Sequence, residues 1–192
     1  MEIVVDNKHI FYDQLGLGSK DIVMLHGWGQ NMEMMRPLAI KLLNDKNIKN
    51  NYRITILDLP GFGSSSEPDM DTDVFSYTKL IENFLIALKI NKPIMLGHSF
   101  GGRLSIIYSS RNETEKVILF GAPCIREYKP TFKEKVLKGL KKIPFTKDLV
   151  ELAKQYIGST DYKNASPVMR RVLVNTINQD LSECAKKITA PT

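Results

Sequence analysis

Leu96-Gly97-His98-Ser99-Phe100-Gly101-Gly102 decides how the rest of the chain is read. It has the form G-x-S-x-G with one more glycine behind it. The apolar run Pro93-Ile94-Met95-Leu96 leads in, and a helix-compatible run from Arg103 to Arg111 leads out. Strand, tight turn and helix in that order are the context a nucleophile elbow requires. Such a turn holds its serine in a strained, exposed conformation, so the residues two before and two after it must be small. Here they are Gly97 and Gly101. A glycine-rich turn carrying a solvated serine is the plainer alternative, and the bare pattern without its flanks is weak.

Working outward from the elbow, strands and helices alternate. Glu2–Asp6 and His9–Gln14 are short, alternating and rich in β-branched and aromatic residues; Asp6-Asn7-Lys8 between them is a turn signal, and the pair reads as a hairpin. Asp21-Ile22-Val23-Met24-Leu25 is the continuous apolar run of a strand buried on both faces. His26-Gly27-Trp28-Gly29-Gln30 follows as a loop. Arg36–Leu43 reads as a helix with Pro37 in its first turn, and Asn44–Asn51 as a polar loop. Arg53–Asp58 is the next strand, closed by Leu59-Pro60-Gly61-Phe62-Gly63-Ser64-Ser65-Ser66. Tyr77, Leu80, Ile81, Phe84, Leu85 and Leu88 recur with helical spacing. Val117–Phe120 is a further buried-type strand. The pattern implies an α/β fold: a mostly parallel sheet with helices on both faces, and antiparallel strands from the hairpin at one edge.

After Pro123 the pattern changes. Thr131-Phe132-Lys133-Glu134 has the form of a capping box. Helical spacing follows through Phe132, Val136 and Leu140, then through Leu149, Leu152, Ala153, Tyr156 and Ile157, and again from Val168 to Leu181. No strand is expected from Arg126 to Lys187. That stretch holds 14 Lys and Arg against 7 Asp and Glu, while the rest of the chain holds 13 against 14; the whole excess of the formal +6 charge lies there. The charge split suggests two structural units. Three segments are expected: an incomplete α/β core over 1–123, an all-helical cap over 124–187, and the start of a further core portion at 188–192.

Ser99 needs a base to take its proton and donors for the oxyanion formed on a substrate. The Phe100 N–H, at the start of a helix, is one such donor. The Trp28 N–H, in the loop that leaves the neighbouring strand, is the natural second. The His26-Gly27-Trp28-Gly29 loop, Asp58-Leu59-Pro60-Gly61-Phe62-Gly63-Ser64-Ser65 and Gly97-His98-Ser99-Phe100-Gly101-Gly102 together resemble the α/β-hydrolase superfamily, in its esterase/lipase-like, single-domain serine-hydrolase branch. The resemblance implies Ser99 as nucleophile and the Trp28 and Phe100 N–H groups as oxyanion hole. It also implies a helical cap after the sixth strand and hydrolysis of ester or related acyl bonds through an acyl-serine. Serine rather than aspartate at the nucleophile position argues against the haloalkane dehalogenase and epoxide hydrolase branches.

The departure from the family is as informative. Its chain order is serine, acid, histidine. The three histidines here, His9, His26 and His98, all precede Ser99. His26 is expected to brace the oxyanion loop, His98 is the variable elbow position, and Asp58 is expected to brace its loop rather than act as acid. Glu127 is the nearby candidate for a variant acid. The expectation is a C-terminally truncated serine hydrolase, inactive as this chain, with Val117–Phe120 left as an apolar sheet edge open to pairing with another chain. The alternative is a non-catalytic binding or interaction module on the same fold. Carbon–carbon bond hydrolysis and acyl transfer to other acceptors stay open.

The remaining features are bland or two-sided. Trp28 lines an acyl pocket or merely packs, and Met32, Met34 and Met35 likewise line a pocket or fill a helix face. Lys133, Lys135, Lys138, Lys141 and Lys142 favour anionic substrates or a membrane surface, or form a solvated outer face. The expected partner is a small-molecule acyl substrate. No cofactor or metal is expected, nor nucleic-acid binding, since no recognition motif accompanies the lysines. No stable membrane insertion is expected, as no run of 18 apolar residues occurs. Cys124 and Cys184 have no metal-ligand spacing. With no signal-peptide pattern at Met1–Asp6, they read as idle thiols of a cytoplasmic protein.

Overall fold

The hairpin forms because Asp6 and Asn7 accept the left-handed backbone, with φ of 49° and 59°. Two such residues in succession twist the chain to suit antiparallel strands. They join β1 (Glu2–Val5) to β2 (Lys8–Leu15) with Val5 opposite Lys8. A computed structural model describes residues 1–125, 162 and 164–192. Its sheet continues through β3 (Lys20–Leu25), β4 (Tyr52–Leu57), β5 (Ile94–His98) and β6 (Lys116–Phe120). The spatial order is β1-β2-β4-β3-β5-β6. β2 pairs antiparallel with β4, while β4, β3, β5 and β6 are parallel neighbours.

Side chains alternate between two apolar layers, as the pleat requires. Ile22 and Met24 of β3 join Ile54 and Ile56 of β4 and Leu96 of β5 on one face, where α1 (Arg36–Leu43) supplies Ala39. Val23, Leu25 and Met95 point to the other face. There they meet Tyr77, Ile81, Phe84 and Leu85 of α3 (Val74–Ala87) and Leu104 and Ile107 of α4 (Phe100–Ser109). Both faces are therefore covered, which is why these strands read as continuous apolar runs. α3 starts at a capping box: the Asp73 carboxylate accepts from the Phe75 and Ser76 N–H groups, and the Ser76 hydroxyl accepts from the Asp73 N–H.

Asn44–Asn51, expected as a loop, instead contains a short helix, α2 (Lys46–Asn51). Asp45 caps it by accepting from the Asn47 and Ile48 N–H groups, so the cap outweighs the poor propensity of the asparagines. The helix expected over Val168–Leu181 ends sooner, as α5 (Pro167–Ile177), followed by the short α6 (Ser182–Ala185). Ser166 caps α5 by accepting the Met169 N–H, with Pro167 in the first turn. Met169, Val172 and Leu181 belong to the same apolar cluster as α3 and α4. The helices expected around Thr131–Leu140 and Leu149–Ile157, with Glu127 and the lysines from Lys133 to Lys142, lie outside the described residues.

β6 pairs with β5 on one side. On the other, the Val117 N–H donates to the Pro191 carbonyl at 2.9 Å, so the tail covers the beginning of this strand. Val117 is buried, while Phe120 at the strand's end is 48% exposed. No helix among the described residues is long and apolar enough to cross a membrane.

Candidate active site

Ser99 sits between β5 and α4 with φ 50° and ψ −109°, a conformation that costs a non-glycine residue about 1–3 kcal/mol. Its neighbours enforce it. A Cβ at Gly97 would fall 2.5 Å from the Gly102 Cα, and one at Gly101 would fall 2.3 Å from the Leu25 carbonyl oxygen. Both glycines are needed for the turn to close this tightly. The turn is then stitched to its flanks: Ser99 N–H donates to the Phe120 carbonyl of β6 at 2.8 Å, and Gly101 N–H to the His26 carbonyl beyond β3 at 3.1 Å. Among the described residues, the Ser99 hydroxyl has no hydrogen-bond partner, and neither do the backbone N–H groups of Trp28 and Phe100. Phe100 is buried, and its ring lies edge-on to Trp28 and Tyr77, with centroids 5.1 Å away in each case. Tyr77 in turn donates its hydroxyl to the Pro60 carbonyl.

His26 and Asp58, at the same end of the sheet, are fully committed. His26 has no exposed surface. Its Nε2 accepts the Leu59 N–H at 3.0 Å, which leaves Nδ1 as the protonated nitrogen, 2.8 Å from the Gly27 carbonyl. Burial pushes its pKa below the ordinary histidine value, so the ring is neutral. Asp58 accepts the Met32 N–H at 2.8 Å on one oxygen and the Ser64 N–H at 2.9 Å on the other. The Ser65 hydroxyl donates to the Asp58 carbonyl. A Cβ at Gly63 would fall 2.1 Å from the Asp58 carboxylate, and this residue has φ +56°, so the loop wraps closely around the carboxylate. His26 and Asp58 thus tie the loops after β3 and β4 together. His98 Nδ1 faces the Gln30 Oε1 at 3.3 Å, and His9 pairs with Glu2 on the surface of the hairpin.

The methionines divide by position. Met35 is buried and Met32 half-buried, both against the α1-side core, whereas Met34 is exposed. Trp28 both packs and lines: its ring lies edge-on to Phe62, with centroids 4.9 Å apart, and it borders a cavity of about 270 Å³. Phe62, Glu67, Ser166 and Met169 border the same cavity. Ser99 is not among its lining residues.

Several groups at this end carry no sequence signal. Gln30 accepts the Gly27 N–H at 3.1 Å and so holds the loop that presents Trp28. Arg103, buried inside α4, donates to the carbonyls of Pro123 at 2.7 Å, Thr176 at 3.1 Å and Gln179 at 2.7 Å. It thereby clamps the elbow helix to the segment after β6 and to the end of α5. Glu67 meets Ser166 across the cavity. No spacing rule marks Arg103 or Glu67, because their partners are far away in sequence. Among the described residues, no group of three or more His, Cys, Asp or Glu side chains is placed to hold a metal ion.

A family model described as the alpha/beta hydrolase fold matches residues 21–150. The chain belongs to that family. It is 31% identical over 137 residues to the pimeloyl-[acyl-carrier protein] methyl ester esterase of Wigglesworthia glossinidia brevipalpis, covering 68% of this chain and 48% of that protein. It is 35% identical over 92 residues to a 1-acylglycerol-3-phosphate O-acyltransferase of Rattus norvegicus, covering 46% of this chain and 24% of that one. Among solved structures, an esterase from Exiguobacterium antarcticum superposes with a TM-score of 0.69 at 24% identity, covering 99% of this chain and 78% of that chain. An enol-lactonase from Burkholderia xenovorans superposes at 0.70 with 18% identity, covering 100% and 78%. The structural matches establish the fold. The curated relatives are longer, and the chain's match spans about half of their length or less.

Proposed function

We propose that this chain is the N-terminal part of a serine hydrolase that cleaves ester or related acyl bonds of a small molecule through an acyl-serine at Ser99. The observation that carries the reading is the elbow itself: a serine at φ 50°, with a hydroxyl uncommitted among the described residues, at the carboxyl end of a central parallel strand. That is where open α/β sheets place their sites. The Ser99 oxygen attacks the acyl carbon. The negative charge that develops on the carbonyl oxygen is taken by the Phe100 N–H, at the positive end of α4, and by the Trp28 N–H. Preorganised donors of this kind are worth about 3–4 kcal/mol each to the transition state. The esterase and acyltransferase names among the relatives support acyl chemistry. In this reading residues 1–123 are core, 124–187 form a helical cap, and 188–192 begin a further core portion. Both cysteines are free thiols, in keeping with a reducing cytoplasm.

The proton of the serine needs an acceptor, and the three histidines are poor ones. Both His26 nitrogens are bonded, His98 faces Gln30, and His9 pairs with Glu2. The 192-residue polypeptide by itself is therefore proposed to lack turnover. Incubation with a panel of esters and a serine-directed fluorophosphonate tests this. The expected result is no ester turnover; robust turnover that disappears in Ser99→Ala would overturn the inactivity, and turnover that survives it would overturn the nucleophile. The same occupied histidines favour a second reading, a non-catalytic binding module. An acid and a histidine encoded downstream of Thr192 decide for the enzyme.

A further inference from the structure

A cavity of about 270 Å³ lies where three segments meet: the loop after β3, the loop after β4, and the start of α5. Its apolar lining includes Trp28, Phe62 and Met169, and its polar side chains are Glu67, Asn164 and Ser166. The hydrogen bonds determine what it offers a ligand. The Ser166 hydroxyl donates to Glu67 Oε1 at 2.6 Å and accepts the Met169 N–H at 3.1 Å, so both of its roles are taken. Glu67 receives one neutral donor and, among the described residues, has no cationic partner. What faces an incoming group is therefore a carboxylate with acceptor capacity to spare, beside two aromatic rings and a thioether.

The start of α5 does not reverse this preference. A helix N-terminus carries about half a positive charge, less than the full negative charge of Glu67. Its donors are also depleted: Pro167 has no N–H, and the Met169 N–H is already given to Ser166. A carboxylate and aromatic rings around one small space attract a cation by charge-assisted hydrogen bonding and by the ring quadrupoles. The volume is at the small end of the roughly 300–1,000 Å³ range of ligand pockets. It suits a group of a few heavy atoms.

We infer that this cavity is a subsite for an aliphatic ammonium group, the amine-bearing portion of a substrate. It borders Trp28, whose N–H the proposed function assigns to the oxyanion, so the inference names a substrate class for that same site and rests on that reading for its role in the reaction. Binding itself does not need Ser99.

Trp28 is the single tryptophan, so intrinsic fluorescence reports on the cavity wall directly. The full chain is titrated at constant ionic strength with n-butylammonium, n-butanol and n-butyrate. The expected result is a saturable change with n-butylammonium, at least tenfold weaker binding of n-butanol and n-butyrate, and at least a tenfold loss of n-butylammonium affinity in Glu67→Gln. Absence of a saturable change, equal affinity for n-butyrate or n-butanol, or unchanged affinity in Glu67→Gln would each overturn it. The comparison of the three probes on the unsubstituted chain stands even where the variant folds poorly. Ser99→Ala is expected to bind n-butylammonium as the parent does. Ammonium binding with no acid and histidine encoded downstream of Thr192 leaves the subsite and removes the hydrolase; those two residues without ammonium binding do the reverse.

Discussion

Two sets of polar residues crowd the carboxyl ends of the central strands, and they are used in opposite ways. After β3 and β4, His26 and Asp58 spend every ring nitrogen and carboxylate oxygen on backbone groups. After β5, Ser99 spends none among the described residues, although its backbone is held in a costly conformation. Burial with complete bonding is how a fold joins two loops. Strain with an uncommitted hydroxyl stabilises nothing, and such strain clusters at functional sites. Histidine and aspartate are the more familiar catalytic residues, yet here the bonding pattern assigns them to the scaffold.

The most severe test of this contrast is Gly101→Val. Its Cβ would meet the Leu25 carbonyl at 2.3 Å, and β3 cannot retreat without breaking its pairing. A loss above about 3 kcal/mol is expected, seen as failure to accumulate folded protein. Next comes His26→Ala, which leaves the buried Leu59 N–H without its acceptor and empties the space the ring fills. Urea unfolding should show a loss of about 2–4 kcal/mol. A loss under 1 kcal/mol would mean that His26 is not structural. Asp58→Asn keeps one acceptor oxygen and should lose about 1–2 kcal/mol in the same measurement.

The pH dependence follows from His26. Burial depresses its folded-state pKa below the ordinary histidine value of about 6.5, so between the two values the unfolded chain binds more protons than the folded one. Stability from this residue is complete above about pH 6.5 and falls as the pH drops, by up to about 1.4 kcal/mol per unit, until the folded pKa is reached. Urea midpoints between pH 7.5 and 5 should show this slope, and His26→Asn should flatten it. The smallest effect has the opposite sign. Ser99→Gly relieves a positive φ and should stabilise the fold by up to about 1 kcal/mol while abolishing any fluorophosphonate labelling. A destabilised Ser99→Gly would erase the contrast between the two sets.

Much of this architecture is legible in the chain. The hairpin, the apolar runs of β3, β4 and β6, and the helical spacing of α3 arise from contacts within a few residues or from one buried face, so their periodicity is written locally. The elbow is legible for the same reason, since close approach demands glycine two residues either side of Ser99. Asn44–Asn51 misled because a single aspartate cap is a weak signal among asparagines that favour loops. α5 ended early because tertiary contacts, not propensity, set where it stops: Arg103 takes the carbonyls of Thr176 and Gln179.

By itself, then, the sequence determined the order of strands and helices, the strained serine and the loops that flank it. Those features depend on backbone sterics and on the alternation of apolar residues, which neighbouring residues dictate. Only the tertiary structure decided which polar groups are spent and which are uncommitted. His26 finds Leu59, Asp58 finds Met32, and Glu67 finds Ser166 at a separation of 99 residues. A hydrogen bond depends on where its partner lies in space, and that follows from the packing of elements rather than from any local pattern.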